Sequence, residues 1–413
     1  MAMRPAVLLI ATFDTKAEEA LYLKKLIEDE GLPVLAMDTG IRSPSVSAGI
    51  DIGQASVAAA AGRRIEELQN SKDKGFCIAT MIEGAAAMAK RLYDEGRLAG
   101  VIGIGGAQGT DIGTAAMRAL PFGVPKLMVS TVTSGRATFG PYVGTKDLML
   151  MHSVADIQGL NVITTKVFHN AAAALCGMVR ASAQPMPIRA KRGSVALSML
   201  GTTTIGSMRA KELMEEAGYE LVAFHQNGTG GIAMEDMIAE GLFDGVLDLN
   251  LHEIGDSVYG GLHGSIRDYR LERAGALGIP QVVAPGSINY TVLGPLESLK
   301  PEERKRKLIV HNPNLTLVRL NNEEMVETAR ITARKLNAAK GPLHVFIPLQ
   351  GFSYPDREGL PHWDPEGNAL FIETLRKELN PAIPYYELDA HINDREFIDR
   401  AVGEMINMLE TRR

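Results

Sequence analysis

Short apolar runs that end in a polar turn and lead into a helix recur along this 413-residue chain. Ala6–Ala11 leads into Thr12-Phe-Asp-Thr and a helix that ends near Gly31, and Gly100–Ile104 and Lys126–Val129 repeat the pattern. Runs that are apolar without alternation are typical of strands buried on both faces. Strands alternating with helices predict an α/β fold with a parallel, doubly wound, Rossmann-like sheet, whose loops line a crevice at the carboxyl ends of the strands.

The pattern lapses between Ser182 and Gly193 and restarts with a strand at Ser194–Leu200. Because a domain averages roughly 150 residues, a chain of this length has room for two or three. The sequence therefore predicts two Rossmann-like domains, 1–182 and 193–413. Within the first domain it predicts helices at about Ala55–Gln69, Ala85–Glu95 and Ile112–Ala119.

Charge and composition narrow the class of partner. Lys and Arg number 43 against 49 Asp and Glu, a net charge of −6, so no global positive field favours nucleic acid. No run reaches the ~18 apolar residues of a membrane span, which leads us to expect a cytoplasmic protein with no membrane partner.

Cys77 and Cys176 stand in apolar contexts without paired spacing and are expected to be buried, reduced thiols.

A glycine-rich loop follows the strand at Gly100–Ile104 and opens a helix. Its backbone amides, with the positive end of the helix, could hold a phosphate or carboxylate. It has neither the GK[ST] ending of a P-loop nor the spacing of GxGxxG, so a glycine-rich packing turn is an equal alternative. The candidate residues are Gly106, Ala107, Gln108, Gly109 and Thr110.

Three further loops place small or polar residues at neighbouring strand ends. If the sheet is doubly wound, these loops converge on one crevice and favour a binding site over isolated turns. The candidates are Asp14, Thr15 and Lys16 after the first strand, and Ser130, Thr131, Gly144 and Thr145 after the fourth.

The second domain repeats the strand, glycine loop and helix arrangement at Gly228, Thr229, Gly230 and Gly231. A second anion site is the natural inference. Carboxylates and imidazoles at later strand ends could perform acid–base chemistry or bind a divalent metal. The alternative is helix capping or hydrogen bonding within the scaffold, which for any single residue is the more common role.

Taken together, these motifs resemble the ATP-binding domain family that forms the N-terminal part of the tomato mosaic virus resistance protein and includes stand-alone, uncharacterised bacterial relatives. The resemblance covers essentially the whole chain, and the order and spacing of the motifs make it specific. The motifs are Thr12-Phe-Asp-Thr-Lys16, Gly103-Ile-Gly-Gly-Ala-Gln-Gly-Thr110, Ser130-Thr-Val, Tyr142-Val-Gly-Thr145, Ser153-Val-Ala-Asp156, Asn170-Ala-Ala, Gly228-Thr-Gly-Gly231, Met234-Glu235, Gly245-Val-Leu-Asp248, His311-Asn-Pro, Lys335-Leu-Asn and His391-Ile-Asn-Asp394.

The resemblance implies two Rossmann-like domains with a cleft between them and ATP bound by the first. The nucleotide would meet Asp14, Thr15, Lys16, Thr39 and the loop from Gly106 to Thr110, with Ser130, Thr131, Gly144 and Thr145 nearby. Ala107-Gln108 stand where the family usually has Ser-Gly, which makes the phosphate loop bulkier. The plant protein's antiviral role is not implied, because that protein carries a further C-terminal barrel domain.

The leading hypothesis is a nucleotide-dependent enzyme that acts on a small anionic metabolite. Glu235 and Glu253 would hold Mg²⁺ or act as base, His391 would take part in catalysis, and Arg319, His311 and the loop at Gly228–Gly231 would bind substrate. One alternative is a nucleotide-binding regulator or adaptor without turnover. Another is a lyase or hydrolase that does not use ATP. A homodimer is expected from prevalence alone.

Overall fold

The fold is described from a computed structural model that covers residues 4–133, 139–184 and 192–412. The chain divides into two compact units between residues 187 and 188. Most of the predicted boundary segment, between Ser182 and Gly193, lies outside the described residues. Each unit is α/β, as the sequence predicts.

The N-terminal unit is a five-stranded parallel sheet in the order β2-β1-β3-β4-β5. Leu9 of β1 lies between Ala36 of β2 and Ile102 of β3. The order reverses at β1, so the loops after β1 and β3 leave the sheet on opposite sides and open a crevice. The elements are β1 (Ala6–Ala11), α1 (Ala17–Asp29), β2 (Val34–Asp38), α2 (Gln54–Ala60), α3 (Ile65–Asn70), α4 (Lys74–Asp94), β3 (Leu98–Gly105), α5 (Ala107–Arg118), β4 (Lys126–Ser130), α6 (Phe139–Val143), β5 (Met149–His152) and α7 (Val162–Ser182).

Alternate residues of these strands face two separate cores. Val7 and Leu9 pack with α1 and α7, whereas Leu8 and Ile10 pack with α2 to α5. Both faces are buried, which explains why the strands read as continuous apolar runs. Cys77 and Cys176 are buried free thiols, one in each core, as the sequence predicts.

Three predicted helices have different bounds in the structure. The helix expected at Ala55–Gln69 is two helices, because the chain turns at Gly62, whose φ is +72°. The helix predicted at Ala85–Glu95 is α4, which begins already at Lys74. The Asp73 carboxylate caps it by accepting a hydrogen bond from Phe76 N. The third, α5, begins at Ala107, so the glycine-rich loop is itself the first turn of the helix.

The C-terminal unit has a six-stranded parallel sheet in the order β14-β13-β9-β8-β6-β7 and an antiparallel sheet in the order β10-β12-β11. In the parallel sheet β6 lies between β7 and β8, just as β1 lies between β2 and β3. The elements are β6 (Ser194–Met199), α8 (Thr204–Glu216), β7 (Glu220–His225), α9 (Gly230–Ala239), β8 (Gly245–Asp248), α10 (His252–Tyr259), α11 (Arg273–Ala276), β9 (Gln281–Val283), β10 (Tyr290–Leu293), β11 (Leu308–Asn312), β12 (Leu315–Arg319), α12 (Asn322–Asn337), β13 (Leu343–Pro348), α13 (Pro365–Glu378), β14 (Tyr385–Leu388) and α14 (Arg395–Thr411).

Sequence reasoning missed the antiparallel sheet. Its strands are only four or five residues long, and β11 has no buried residue, whereas Tyr290, Val292 and Leu317 of the other two strands pack on Leu200. A signal was present, since two apolar runs flank the turn residues Asn312-Pro-Asn314 as in a hairpin.

Among the described residues one helix, α7, has the length and apolar composition of a membrane span. Phe168, Leu175 and Cys176 on this helix pack in the core of the N-terminal unit. Helices in the cores of water-soluble proteins share these properties, so we interpret α7 as a core helix.

Candidate functional site

A cavity of about 680 Å³ lies in the N-terminal unit at the carboxyl ends of β1, β2 and β3. Its walls come from the loop after β1, the loop after β2, the first turn of α5 and the segment between Leu68 and Ile78. This is the crevice that the reversal of strand order creates. Its volume is in the range of small-molecule sites, roughly 300–1,000 Å³.

The start of α5 forms one wall of this cavity, which we call the N-terminal pocket. Gly106 is the N-cap residue and has no side chain to cap the helix, and among the described contacts no side chain accepts a hydrogen bond from the first-turn amides. A side chain at Gly105 would place its Cβ 2.7 Å from Gly109 Cα, so the turn from β3 into α5 requires glycine. Uncapped amides at the positive end of a helix are a favourable place for an anion.

Ala107 and Gln108 are both exposed, and together with Gly109 they line the pocket. The bulkier pair that replaces the usual Ser-Gly therefore leaves the pocket open.

Among the described residues four cationic side chains line the same pocket, and sequence reasoning found only Lys16. Its ammonium donates to the Ile157 carbonyl at 2.7 Å, which ties it to the wall. Arg42, Lys72 and Lys74 are exposed and have no such anchor to the backbone among the described contacts. The missed signal was the position of Arg42 just beyond the end of β2, of Lys72 just before α4 and of Lys74 at its first residue.

Two carboxylates, Asp14 in the pocket lining and the buried Asp38, lie beside Gly40, which also lines the pocket. Asp38 Oδ1 accepts hydrogen bonds from Phe13 N at 3.0 Å and Gly40 N at 2.8 Å, which joins the loops after β1 and β2. A Cβ on Gly40 would lie 3.0 Å from Asp38 Oδ1 and 3.1 Å from Asp14 Cγ, so both carboxylates flank one point. Burial, with a smaller contribution from the Asp14 charge, raises the pKa of Asp38.

The residues whose hydroxyl groups were predicted to bind nucleotide have different surroundings. Thr15 and Thr39 line the pocket. Thr110 and Ser130 are fully buried, and their hydroxyl oxygens lie 2.6 Å apart, so they join α5 to the end of β4. Thr131 lies beside Gly106, whereas Gly144 and Thr145 are outside the described lining of the pocket. The structure thus gives Thr110 and Ser130 a structural role.

The glycine loop of the C-terminal unit already contains a carboxylate of its own chain. Glu253 Oε1 accepts hydrogen bonds from Gly228 N at 2.7 Å and Gly231 N at 3.1 Å. Gly230 N and the Thr229 hydroxyl both donate to Asn227 Oδ1. The amides expected to bind a substrate anion therefore bind internal acceptors.

Glu253 and Glu235 are both buried beside Arg270. The Arg270 guanidinium lies 3.1 Å from Glu253 Oε2, 3.4 Å from Glu235 Oε1 and 2.6 Å from Asp248 Oδ2. Glu235 also accepts hydrogen bonds from Leu271 N and Arg273 N. Burial raises the pKa of Glu235 to about 7, although Arg270 opposes the shift. The two expected Mg²⁺ ligands or bases thus form a buried ion network with Arg270.

The remaining predicted residues of this unit have separate surroundings. His391 is buried, with Nε2 2.9 Å from Ser353 O and Nδ1 accepting from Asn393 N, and burial lowers its pKa. His311 is exposed on β11. Arg319, at the end of β12, is buried and donates to Asn289 O and Asn368 Oδ1. These three residues share no hydrogen-bond partner among the described contacts.

Comparison with known proteins decides the family. Residues 5–184 match the N-terminal domain of Uncharacterised protein family (UPF0261), and residues 192–409 match its C-terminal domain. This chain belongs to the UPF0261 family.

A UPF0261 protein of Clostridium tetani is 40% identical over 409 residues, 99% of this chain and 100% of that protein. A UPF0261 protein of Rhizobium meliloti is 36% identical over 402 residues, 96% of this chain and 97% of that one. The ToMV resistance protein Tm-1(GCR237) of Solanum lycopersicum is 33% identical over 98% of this chain, which spans 56% of the tomato protein. The family resemblance inferred from the motifs is thereby confirmed.

Proposed function

We propose that this UPF0261 protein binds ATP in the N-terminal pocket. The observation that carries the proposal is the uncapped first turn of α5, which opens into a cavity of about 680 Å³ at the point where the strand order reverses. The phosphates would bind the amides from Gly106 to Gly109. The resemblance of the motifs to an ATP-binding family supports the same loops.

The rest of the lining suits a nucleotide as well. Arg42, Lys72 and Lys74 supply positive charge for a polyphosphate. Ile41, Ile78 and Ile112 form an apolar part of the wall against which a base would pack.

Magnesium would bind beside Gly40, where the Asp14 and Asp38 carboxylates approach each other. Asp14 lines the pocket, and Asp38 Oδ2 is buried without a hydrogen-bond partner among the described residues. Mg²⁺ commonly takes one or two protein carboxylates and completes its shell with water and phosphate oxygens. The ion would neutralise phosphate charge there. We assign this role to Asp14 in place of Glu235 and Glu253, which are bound to Arg270.

Turnover of a small anionic metabolite is the second part of the proposal, and binding without turnover is its rival. The rival is favoured by one observation: Glu235 and Glu253, the expected bases, are both at most 2% exposed. ADP release in the presence of small carboxylates and phosphorylated compounds would support an enzyme. ATP binding without ADP release under any of them would support a regulator or adaptor.

The test of nucleotide binding is calorimetric titration with ATP and Mg²⁺. Gln108→Glu places a negative charge in the first turn of α5, where the phosphates would lie, and should weaken ATP binding about tenfold or more. Gln158→Glu is the matched control, because Gln158 is exposed in the same unit and outside the described lining. No binding by the wild type, or equal loss in both variants, would contradict the proposal.

A further inference from the structure

One wall of the N-terminal pocket comes from α3 and α4. Leu68, near the end of α3, and Cys77 and Ile78, in α4, are apolar lining residues. Cys77 Sγ donates to Leu68 O at 3.3 Å, which joins the two helices. Ile41, from the loop after β2, lines the pocket as well. In a small-molecule site, apolar walls pack against the ligand and a few polar groups among them determine its orientation and identity.

Gln69 is a neutral polar residue of α3 in this wall, and its side-chain amide is held in one orientation. The amide lies 3.0 Å from the Ile41 carbonyl oxygen. Because a backbone carbonyl can only accept a hydrogen bond, the atom that faces it is Nε2, which donates. Oε1 has no hydrogen-bond partner among the described contacts, so an acceptor remains for a ligand.

Adenine and guanine differ at the atoms that such an amide would meet. Adenine carries a 6-amino group, which donates, whereas guanine carries O6, which accepts. A carboxamide presents an acceptor and a donor side by side and pairs with adenine through two hydrogen bonds. A carboxamide that turns freely can exchange its oxygen and nitrogen and pair with a 6-keto base. The hydrogen bond to Ile41 O opposes that exchange in Gln69.

We propose that Gln69 makes the N-terminal pocket selective for adenine, with Oε1 accepting a hydrogen bond from the 6-amino group of the base. The inference rests on the proposed function, because it takes the phosphates to lie at the first turn of α5. Gln69 is exposed, so this hydrogen bond competes with water and contributes at most about tenfold in affinity.

A second glutamine provides a matched control. Gln54, the first residue of α2, donates from Nε2 to Arg42 O at 3.0 Å. Gln54 and Gln69 therefore hold two successive carbonyls of the loop after β2. Gln54 is outside the described lining of the pocket. Changing each glutamine in the same way separates recognition of the base from support of the loop.

The first experiment needs no variant. The full chain would be titrated by calorimetry, with Mg²⁺ present, against ATP, inosine triphosphate and purine riboside triphosphate. Inosine triphosphate has a keto oxygen in place of the 6-amino group, and purine riboside triphosphate has only hydrogen there. We expect ATP to bind about tenfold more tightly than inosine triphosphate, with purine riboside triphosphate between them.

The second experiment assigns this preference to Gln69. Gln69→Met keeps an unbranched side chain and removes the acceptor, so it should bring the affinities for ATP and inosine triphosphate within about twofold of each other. Gln54→Met removes the corresponding hydrogen bond to Arg42 O and should keep the ratio of the wild type.

Equal affinity of the wild type for ATP and inosine triphosphate, or an equal change of the ratio in both variants, would overturn this inference alone and leave nucleotide binding standing. Tighter binding of inosine triphosphate would also overturn it and would indicate that a lining cation, Arg42 or Lys72, binds the keto oxygen. A wild type that binds none of the three nucleotides would overturn the proposed function together with this inference.

Discussion

The role of Glu235 that the sequence predicts differs from the role that its contacts in the structure indicate. Its position after a glycine loop indicated a base or a metal ligand. In the fold it lies on α9 and is buried against the segment from Leu271 to Arg273, where two backbone amides and Arg270 bind it. Charge repulsion from Asp248 adds to burial in raising its pKa to about 7. The ionisation of Glu235 therefore affects the stability of the fold and the dependence of that stability on pH.

We predict that Glu235 makes stability fall as pH rises. A carboxyl whose pKa is raised in the folded state favours folding while protonated, and that contribution is lost between its ordinary pKa of 4.5 and about 7. Across this window the free energy of unfolding of the wild type should fall relative to that of Glu235→Gln, by up to about 3 kcal/mol. Urea unfolding of both proteins at a series of pH values measures this difference. Parallel profiles would contradict the prediction, because other titrating groups cancel in the comparison.

At the scale of elements, the turn from β3 into α5 determines whether a phosphate site can exist. Gly105 and Gly109 approach so closely that no side chain fits at Gly105, and this contact brings the helix N-terminus against the end of the strand. The glycines of this loop therefore serve the packing of the turn as well as the exposure of its amides. The two interpretations left open by the sequence are compatible.

Gly105→Ala should open this turn, because its Cβ would lie 2.7 Å from backbone atoms that cannot rotate away. We expect a loss of about 1–3 kcal/mol in the free energy of unfolding, together with weaker ATP binding. Gly177→Ala is the control, since this exposed glycine of α7 has open space around its Cβ and alanine favours the helix by about 1 kcal/mol. Chemical unfolding and calorimetry would measure the two effects. An unchanged ATP affinity in Gly105→Ala would show that the turn does not position the site.

At the scale of the whole molecule, each unit has its own sheet and its own buried cores. The described lining of the N-terminal pocket comes entirely from the first unit. ATP binding should therefore need only the first unit, although the sequence led us to expect a cleft between domains.

The prediction is that a fragment of residues 4–184 binds ATP with an affinity within about threefold of the full chain, because it retains every described lining residue. Calorimetry on both proteins, with circular dichroism as a check that the fragment folds, would measure this. A folded fragment with much weaker binding would mean that the second unit contributes to the nucleotide site.

The sequence by itself determined the α/β class, the parallel sheets, the two units and the glycine loop at the start of α5. These features follow from local patterns, because burial of both sheet faces and the start of a helix are encoded by neighbouring residues. Only the tertiary structure decided which polar groups meet. Glu235 and Leu271 are 36 residues apart and Lys16 and Ile157 are 141 apart, and no local pattern specifies such partners. The same long-range packing paired Glu235 and Glu253, the carboxylates predicted to be catalytic, with Arg270, and left Arg319 Nε without a hydrogen-bond partner among the described residues.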